Sequence, residues 1–465
     1  MIDVAVIIVA SATLIQGVAG VVTAPESAPP ELPTSVYSSP VVHDPGGPFV
    51  GELQSWQHLQ RGKVDASLVP QLAGQALLNQ LALFSDSQLQ EFQAENPDVI
   101  RQLLLDPPPA ERTGAWWASL PSGVQRHLHD AAPELVGNLP GVPFATRDSA
   151  NRLLLNSTVR ELQSRVESGV GRGEATDIRA RLSMLHEVDV ALTPSASGPD
   201  RSVIALDTKW PGRVAIVVGD LPSADYVSYL VPGMFFTLEG QAVDWSDTAA
   251  ELYTEQTEWL ELLGASDPAL RNKTVATVAW MGYETPNIFN VGSEELADAG
   301  ALYLDSAMDS LYYERGANRP YVSVLAHSYG STAAMKALAT GNFTVDSFAV
   351  VGSPGSSAKS VDELHVAGRN VFVGEASWDP VVGTGYFGSN PGDPSYGARK
   401  MSVDGGVDLI TEVELGESVG HNSYFAPGSE SLRNMSLIGI GRGSLVSDGS
   451  GDDVMRTLAY FDRLI

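Results

Sequence analysis

The stretch at residues 321–334, Tyr-Val-Ser-Val-Leu-Ala-His-Ser-Tyr-Gly-Ser-Thr-Ala-Ala, decides the fold of this chain. Its first part, from Val322 to Leu325, is mostly β-branched or bulky and apolar, which is typical of a strand buried on both faces. The residues from Ser331 onward favour a helix. Between them lies Ala-His-Ser-Tyr-Gly, residues 326–330, a close variant of the G-x-S-x-G nucleophile elbow.

The elbow pattern puts Ser328 where a nucleophile is needed. A serine on a sharp strand-to-helix turn exposes its hydroxyl beside the free N–H groups of the helix N-terminus. Small residues two positions before and after the serine let the two backbones approach closely, and Ala326 and Gly330 occupy those positions. Because the pattern is short, an ordinary strand-to-helix turn is the alternative, and the rest of the chain has to decide between them.

The residues after Ser328 follow in the order nucleophile, acid, histidine. Two apolar runs, at 370–374 and 407–415, predict strands, with Asp379 just past the first and His421 just past the second. Parallel strands end at one edge of a sheet, where ligands bind. The sequence therefore predicts that these three side chains meet, although they are far apart in the chain.

The chemistry of the three groups gives each a role. Ser328 attacks a carbonyl carbon, His421 takes the hydroxyl proton, and Asp379 orients the imidazole and stabilises its charged form. Alternatives remain, since Asp379-Pro380 is also a common turn pair and His421 also fits an exposed loop. His327 is the rival histidine, but side chains of adjacent residues point apart, which favours a packing role for it.

The oxyanion of an acyl transfer needs two backbone donors. One is the N–H of the residue after the nucleophile, here Tyr329. For the other, residues 226–231 predict an earlier strand and residues 232–236 the loop after it. Gly233 allows close approach to a substrate, and the N–H of Met234 is the candidate donor. A simple Pro-Gly turn is the alternative interpretation of this loop.

Several ordered motifs carry a resemblance to a known family. Residues 214–234, residues 278–286 (Val-Ala-Trp-Met-Gly-Tyr-Glu-Thr-Pro) and the elbow are similar to one family of α/β-hydrolases, common in actinobacteria and catalogued as a domain of unknown function. The similarity covers roughly residues 200–430. The family usually has glycine where this chain has Ala326. The resemblance implies an α/β-hydrolase fold, with a mostly parallel sheet flanked by helices, and a serine hydrolase triad, but no settled substrate.

Composition excludes several other functions. The chain has 465 residues and a formal net charge of −28, which argues against a nucleic-acid partner and against strong attachment to an anionic membrane surface. It contains no cysteine, so disulfides, thiolate catalysis and cysteine-ligated zinc are excluded. Nothing in the sequence indicates a metal or an organic cofactor, and the oligomeric state cannot be derived from it.

The pattern along the chain predicts four parts. Residues 1–22 are an apolar segment, a candidate signal peptide or membrane anchor without a preceding positive charge. Residues 23–50 are a Pro/Ser/Gly-rich linker. Residues 51–195 are a helical region, and residues 196–465 are the α/β-hydrolase catalytic domain. Export or membrane anchoring is slightly favoured over a cytoplasmic location, with a hydrophobic element packed on the protein as the alternative.

The helical region has two open interpretations. It either shapes a substrate cleft or is a packing extension without a role in specificity. Its Trp116-Trp117 pair is more typical of a core than of a ligand platform. Within it, helices are predicted at about 85–105, 121–132, 149–166 and 174–188.

Two functions from different classes fit the sequence. The first is a serine hydrolase, esterase or lipase-like, which cleaves a carboxylic ester of a small molecule or lipid through an acyl-enzyme on Ser328. Met234, Phe235 and Phe236 beside the oxyanion loop lean towards a lipophilic acyl group. Thioesterases and peptidases share this machinery. The second is a catalytically inactive hydrolase-fold protein that serves as a binding or secretion-associated module.

Overall fold

The computed structural model describes residues 69–196, 198–234, 236–287 and 290–464. The predicted apolar segment at 1–22 and the predicted linker at 23–50 lie outside the described residues. Within those ranges, no helix combines the length and the apolar character that a membrane span requires.

An eight-stranded sheet lies at the centre of the molecule, with the strand order β1-β2-β4-β3-β5-β6-β7-β8. The strands β1 and β2, and β2 and β4, pair antiparallel, while the other neighbours are parallel. The strands are β1 (Arg201–Asp207), β2 (Arg213–Gly219), β3 (Tyr226–Val231), β4 (Val275–Met281), β5 (Tyr321–His327), β6 (Ser347–Val351), β7 (Val371–Gly374) and β8 (Arg399–Lys400).

Helices precede the sheet in sequence and then alternate with its strands. The helices before β1 are α1 (Gly74–Leu81), α2 (Asp86–Glu95), α3 (Pro97–Leu105), α4 (Ala110–Ser119), α5 (Ser122–Ala131), α6 (Pro133–Asn138), α7 (Phe144–Ser168) and α8 (Arg172–Ala191). The later helices are α9 (Leu238–Gly264), α10 (Glu295–Arg315), α11 (Tyr329–Ala339), α12 (Glu430–Gly439) and α13 (Asp453–Asp462). The predicted α/β class, with a mostly parallel sheet, is confirmed.

The central strands are apolar on both faces because helices cover both faces. On β3, Leu230 packs into the core formed with α7, α8, α9 and α12. Its neighbours Tyr229 and Val231 point to the other side, into the core formed with α10 and α11. Successive side chains of a strand alternate between faces, so a nearly continuous apolar run is what such a layered fold requires.

The helical region has a hydrophobic core of its own, in which Trp116 and Trp117 are buried. Its last two helices, α7 and α8, also pack in the core on one face of the sheet, and specific polar contacts join the region further to the remainder of the fold. Helix α4 follows prolines and has no side-chain cap of its own, but Asp309 on α10 accepts a 2.7 Å hydrogen bond from the N–H of Ala110 at its start. The side chain of Asn138 pairs with both backbone groups of Leu206 in β1.

The predicted strand at 407–415 is wrong. These residues form a small antiparallel hairpin, β9 (Gly406–Val407) and β10 (Glu414–Leu415), outside the main sheet. The carboxylate of Asp408 accepts hydrogen bonds from the next backbone N–H groups and bends the chain where a strand would continue. The last strand of the main sheet is therefore β8, and His421 lies on a long loop beyond it.

Candidate active site

Ser328 lies at the turn between β5 and α11, as the elbow pattern predicts. Its backbone has φ 54° and ψ −132°, a conformation that residues other than glycine rarely adopt. Two hydrogen bonds hold it there, from its N–H to the carbonyl of Val351 and from the Ser331 hydroxyl to its carbonyl. The strained turn sets the hydroxyl at the carboxyl edge of the sheet, ahead of the N-terminus of α11.

Two glycines let the elbow pack against the loop after β3. A Cβ on Gly330 would lie 2.2 Å from the carbonyl oxygen of Pro232, and a Cβ on Gly233 would lie 2.6 Å from the Cβ of Ser328. The hydroxyl of Tyr283 donates a 2.7 Å hydrogen bond to the same Pro232 oxygen. Any side chain at either glycine would therefore push the loop away from the serine.

A continuous chain of hydrogen bonds joins Ser328, His421 and Asp379. The Nε2 of His421 is 2.7 Å from the Oγ of Ser328. Its Nδ1 is 3.0 Å from each carboxylate oxygen of Asp379. All three residues are buried. The structure thus brings together the three residues that the sequence analysis selected.

The loop after β7 turns Asp379 inward. Trp378, with φ 62°, is 90% exposed, and the reversal at this residue directs the next side chain into the protein. Burial raises the pKa of Asp379, but hydrogen bonds from His421, Tyr424 and the N–H of Val381, with the attraction of His421, hold that pKa below its ordinary value. The carboxylate therefore stays charged at neutral pH.

The loop that carries His421 is hydrogen-bonded to the loop that carries Asp379. The N–H of Gly420 donates a 2.9 Å hydrogen bond to the carbonyl of Ser377, and Ser377 and Val419 form a parallel bridge. These contacts fix the backbone just before Asp379 in one loop and just before His421 in the other. They place His421 without the strand that the sequence analysis expected before it.

His327 lies behind the imidazole of His421, with the ring centroids 4.7 Å apart. Its Nε2 donates a 2.6 Å hydrogen bond to the carbonyl of His421, which fixes the proton on that nitrogen. Burial, together with the nearby His421, lowers the pKa of His327 to about 3, so it is neutral at neutral pH. Besides packing, His327 thus holds the His421 backbone.

The two candidate oxyanion residues flank the serine. Tyr329 is the first residue of α11, and its hydroxyl is engaged with Ser293 and Ala297. Met234 lies in a half-buried turn after β3. Both residues line a cavity together with Ser328. Their role as donors stays a prediction, and Phe235 of the same loop lies outside the described residues.

The cavity in front of Ser328 is apolar. It has a volume of about 340 Å³, including the part open to solvent. Apart from the serine, its walls are nonpolar or aromatic, and they include Met234, Val291, Tyr329, Pro354, Val381 and Phe387. The walls come from four separate loops and the start of α11, which explains why sequence alone does not outline this cavity.

Sequence reasoning missed one residue of the hydrogen-bond chain. The hydroxyl of Tyr424 donates a 2.6 Å hydrogen bond to Oδ2 of Asp379 and accepts one from the N–H of Ala376. Tyr424 is fully buried. The sequence shows only that Tyr424 follows His421 by three residues, and a tyrosine at that spacing belongs to no known catalytic motif.

Comparison with known proteins gives a family for the core of the chain. Residues 207–389 match the model of a family described as alpha/beta hydrolase. The match includes Ser328 and Asp379 but ends before His421.

The related sequences are uncharacterized mycobacterial proteins. One from Mycobacterium tuberculosis, found in two strains, is 30% identical over 395 residues, and the alignment covers 74% of this chain. The chain spans 58% of the length of these relatives. An uncharacterized protein of Mycobacterium bovis is 28% identical over 220 residues, which are 46% of this chain and 80% of that protein.

Solved structures with a partial likeness include two esterases. A ferulic acid esterase from Anaeromyces mucronatus gives a TM-score of 0.33 at 13% identity, over 55% of this chain and 96% of that one. An esterase from Pyrobaculum calidifontis gives 0.32 at 15% identity, over 62% of this chain and 98% of that one. Scores this low say nothing about activity.

The sheet topology, the elbow turn and the family match agree with one another. Together they show that the chain has the α/β-hydrolase fold.

Proposed function

We propose that this protein is a serine hydrolase that cleaves a carboxylic ester through an acyl-enzyme on Ser328. The observation that carries the proposal is the hydrogen-bond chain from the Ser328 hydroxyl through His421 to the Asp379 carboxylate, with contacts of 2.7 and 3.0 Å. A hydroxyl, a base within hydrogen-bond reach and a group that orients the base are the parts that nucleophilic catalysis needs.

The first half-reaction forms the acyl-enzyme. The Oγ of Ser328 attacks the ester carbonyl carbon while Nε2 of His421 accepts the hydroxyl proton. The tetrahedral intermediate collapses when its C–O bond to the alcohol breaks, and His421 returns the proton to the departing alcohol oxygen. Asp379 stays ionised throughout, because its hydrogen bonds keep its pKa low, and it stabilises the transient imidazolium.

The second half-reaction repeats these steps with water. His421 takes a proton from the water as its oxygen attacks the acyl carbon, and the Ser328 oxygen leaves with that proton. The carboxylic acid product is released and the free serine is restored. In both halves the backbone N–H groups of Tyr329 and Met234 stabilise the oxyanion, and each such donor contributes about 3–4 kcal/mol in the transition state.

The apolar cavity favours a lipophilic acyl group. Its walls contain no charged side chain among the described residues, so a polar acyl group would lose its hydration there without compensation. The cavity is small, with a volume of about 340 Å³ even when the part open to solvent is included, and this favours short or medium acyl chains.

Hydrolysis of p-nitrophenyl esters from acetate to palmitate tests this function. The wild-type protein should hydrolyse short or medium esters fastest, and Ser328→Ala should lower kcat by a factor on the order of 10⁴ or more. The control is Ser168→Ala, at the exposed end of α7, which should keep wild-type rates. Equal rates in Ser328→Ala and wild type would refute the mechanism. No hydrolysis of any ester by the wild type would favour the inactive, binding alternative.

A further inference from the structure

We propose that a second cleft, between the helical region and the sheet, binds an organic anion that has an apolar or aromatic body. The cleft has a volume of about 900 Å³, including its open mouth. Four basic side chains line it, those of Arg101, Arg147, Lys209 and Arg213. This claim is separate from ester hydrolysis at Ser328 and does not depend on it.

The charge of the cleft is opposite to that of the molecule. The chain has 28 Lys and Arg against 56 Asp and Glu. In the cleft the basic residues outnumber the acidic ones, which are Glu134 and Asp207. Positive side chains gathered in a concave, partly buried site attract anions more strongly than the same charges do on an open surface.

Arg147 is a buried cation without an ion pair among the described residues. It is 6% exposed, and its guanidinium donates to two neutral acceptors, the carbonyl of Gly137 at 3.3 Å and the hydroxyl of Ser310 at 2.8 Å. Burial lowers the pKa of Arg147 to about 10, so it still carries its charge at neutral pH. Buried charges are normally paired, and an anion in the cleft would supply the missing partner.

The neighbouring carboxylate does not fill this role. Glu314 is near enough to favour the charged form of Arg147, but it makes no ion pair with that residue within the described ranges. Burial raises the pKa of Glu314 to about 7, which leaves it only partly ionised at neutral pH. The positive charge beside the cleft is therefore incompletely neutralised by the protein itself.

Arg213 and Lys209 are held loosely at the same cleft. Arg213 is 3.3 Å from Asp207, and Lys209 is 3.4 Å from Glu134, both at the long end for charged hydrogen bonds. The guanidinium of Arg213 lies 3.8 Å from the ring centroid of Tyr303, which presents it as a flat, oriented donor. These groups can therefore exchange their present partners for a carboxylate or phosphate.

The remaining walls determine the body of the ligand. Trp280 and Phe144 supply aromatic surface, and Ile204 and Leu206 supply aliphatic surface. An inorganic anion would engage the basic residues but leave this surface in contact with water. An organic carboxylate or phosphate ester matches both features.

The cleft is distinct from the cavity at Ser328, although both lie at the same edge of the sheet. Arg213 at the start of β2 is beside the end of β4, because Val214 pairs with Met281. A column of stacked rings separates the two sites, with Trp280 and Tyr283 centroids 5.9 Å apart and Tyr283 and Tyr329 centroids 6.5 Å apart.

Isothermal titration calorimetry of the full chain at pH 7 and low salt tests the proposal. Benzoate and phenyl phosphate are the probes, with benzyl alcohol and inorganic phosphate as their counterparts that lack the charge or the ring. We expect at least one of the two aromatic anions to bind saturably at a single site, at least ten-fold more tightly than its counterpart. Whichever of benzoate and phenyl phosphate binds more tightly identifies the preferred head group. Binding of neither anion, or equal binding of anion and counterpart, would overturn the proposal.

A matched pair of variants locates the binding. Arg213→Gln should weaken binding by about ten-fold or more, since it removes a charge-assisted hydrogen bond. Arg319→Gln is the control, because Arg319 also stacks on a tyrosine at 3.8 Å but lies outside the cleft. Should Arg213→Gln fold poorly by circular dichroism, Lys209→Gln at the cleft mouth replaces it. Equal affinities in the cleft variant and in Arg319→Gln would contradict the assigned site.

Discussion

At the scale of single residues, the site depends on groups that touch no substrate. Tyr424 and His327 both act through the proposed catalytic residues, one on the carboxylate of Asp379 and the other on the backbone of His421. Each is buried, so water cannot replace a hydrogen bond that a substitution at either residue removes from its partner. Their contributions can be separated from folding by choosing the right measurement for each.

Tyr424→Phe should lower kcat by about 10-fold with little change in KM, because Asp379 loses a hydrogen bond to its charged form. The fold should tolerate the change, which removes one buried oxygen, although the N–H of Ala376 loses its acceptor. Tyr312→Phe is the control. It removes a hydroxyl that donates to the carbonyl of Thr344 and should leave kcat unchanged. An unaltered kcat in Tyr424→Phe would show that the tyrosine does not support the carboxylate.

His327 should make folding stability depend on pH. Its pKa is about 3 in the folded protein but about 6.5 in the unfolded chain, so between these values the unfolded state binds one more proton. The free energy of unfolding should therefore fall as pH falls through this window, by up to about 1.4 kcal/mol per pH unit from this group. Urea denaturation between pH 4 and 6 measures the slope.

In His327→Gln the free energy of unfolding should change less steeply with pH, by up to about 1.4 kcal/mol per pH unit, because glutamine binds no proton on unfolding. His186→Gln, at an exposed position on α8, is the control and should keep the wild-type slope. If His327→Gln retains the wild-type slope, His327 is not buried in its neutral form.

At the scale of elements, the elbow and the loop after β3 form one unit. Gly330 is the second residue of α11, and its close approach to Pro232 fixes the distance between the helix start and that loop. The loop carries Met234, so the position of the proposed oxyanion donor depends on a contact made by a glycine on another element.

Gly330→Ala should reduce kcat by about 100-fold, because the loop must move away to admit the new methyl group. The matched control is Gly123→Ala, also the second residue of a helix, where an added Cβ meets nothing within 4 Å. That variant should keep full activity and gain up to about 1 kcal/mol in stability. Steady-state kinetics on both variants decides, and wild-type kcat in Gly330→Ala would contradict the coupling.

Which elements could be predicted from sequence depended on how local their determinants are. The elbow around Ser328 and the apolar strands β3, β5 and β7 are specified by neighbouring residues, so pattern reasoning found them. The segment at 407–415 was predicted as a strand because its apolar residues form a run. Its real anchor is a buried ion pair between Asp408 and Arg433, a contact between residues distant in sequence.

The hydrogen bonds that Tyr424 and His327 make to the site could not be predicted from sequence for the same reason, since they also join residues distant in the chain. Tyr424 meets Asp379 only because two loops lie side by side, and His327 meets the carbonyl of His421 only in the folded chain. Strand β1, at the sheet edge, was also not predicted, since its residues are only partly buried and carry charged groups at both ends.

At the scale of the whole molecule, the helical region is joined to the sheet both by the apolar packing of α7 and α8 and by specific polar contacts. Helix α4 begins after three prolines that offer no cap, and Asp309 of α10 provides the missing acceptor. A negative side chain at a helix N-terminus is favourable both as a hydrogen-bond acceptor and through the helix dipole.

Asp309→Ala should therefore lower the free energy of unfolding by about 1–2 kcal/mol. Asp177→Ala, at an exposed position on α8, should change it by less than about 0.5 kcal/mol. Chemical denaturation of the two variants and the wild type gives the comparison. Equal stability of Asp309→Ala and wild type would mean that this contact does not join the two parts.

The most direct test of the central claim is the site of reaction with a fluorophosphonate, located by mass spectrometry of the digested protein. The phosphonyl group should be found on Ser328, should be absent from Ser328→Ala, and should form much more slowly in His421→Ala. An adduct on another residue, or undiminished labelling of Ser328→Ala, would contradict the assignment of Ser328 as an activated nucleophile.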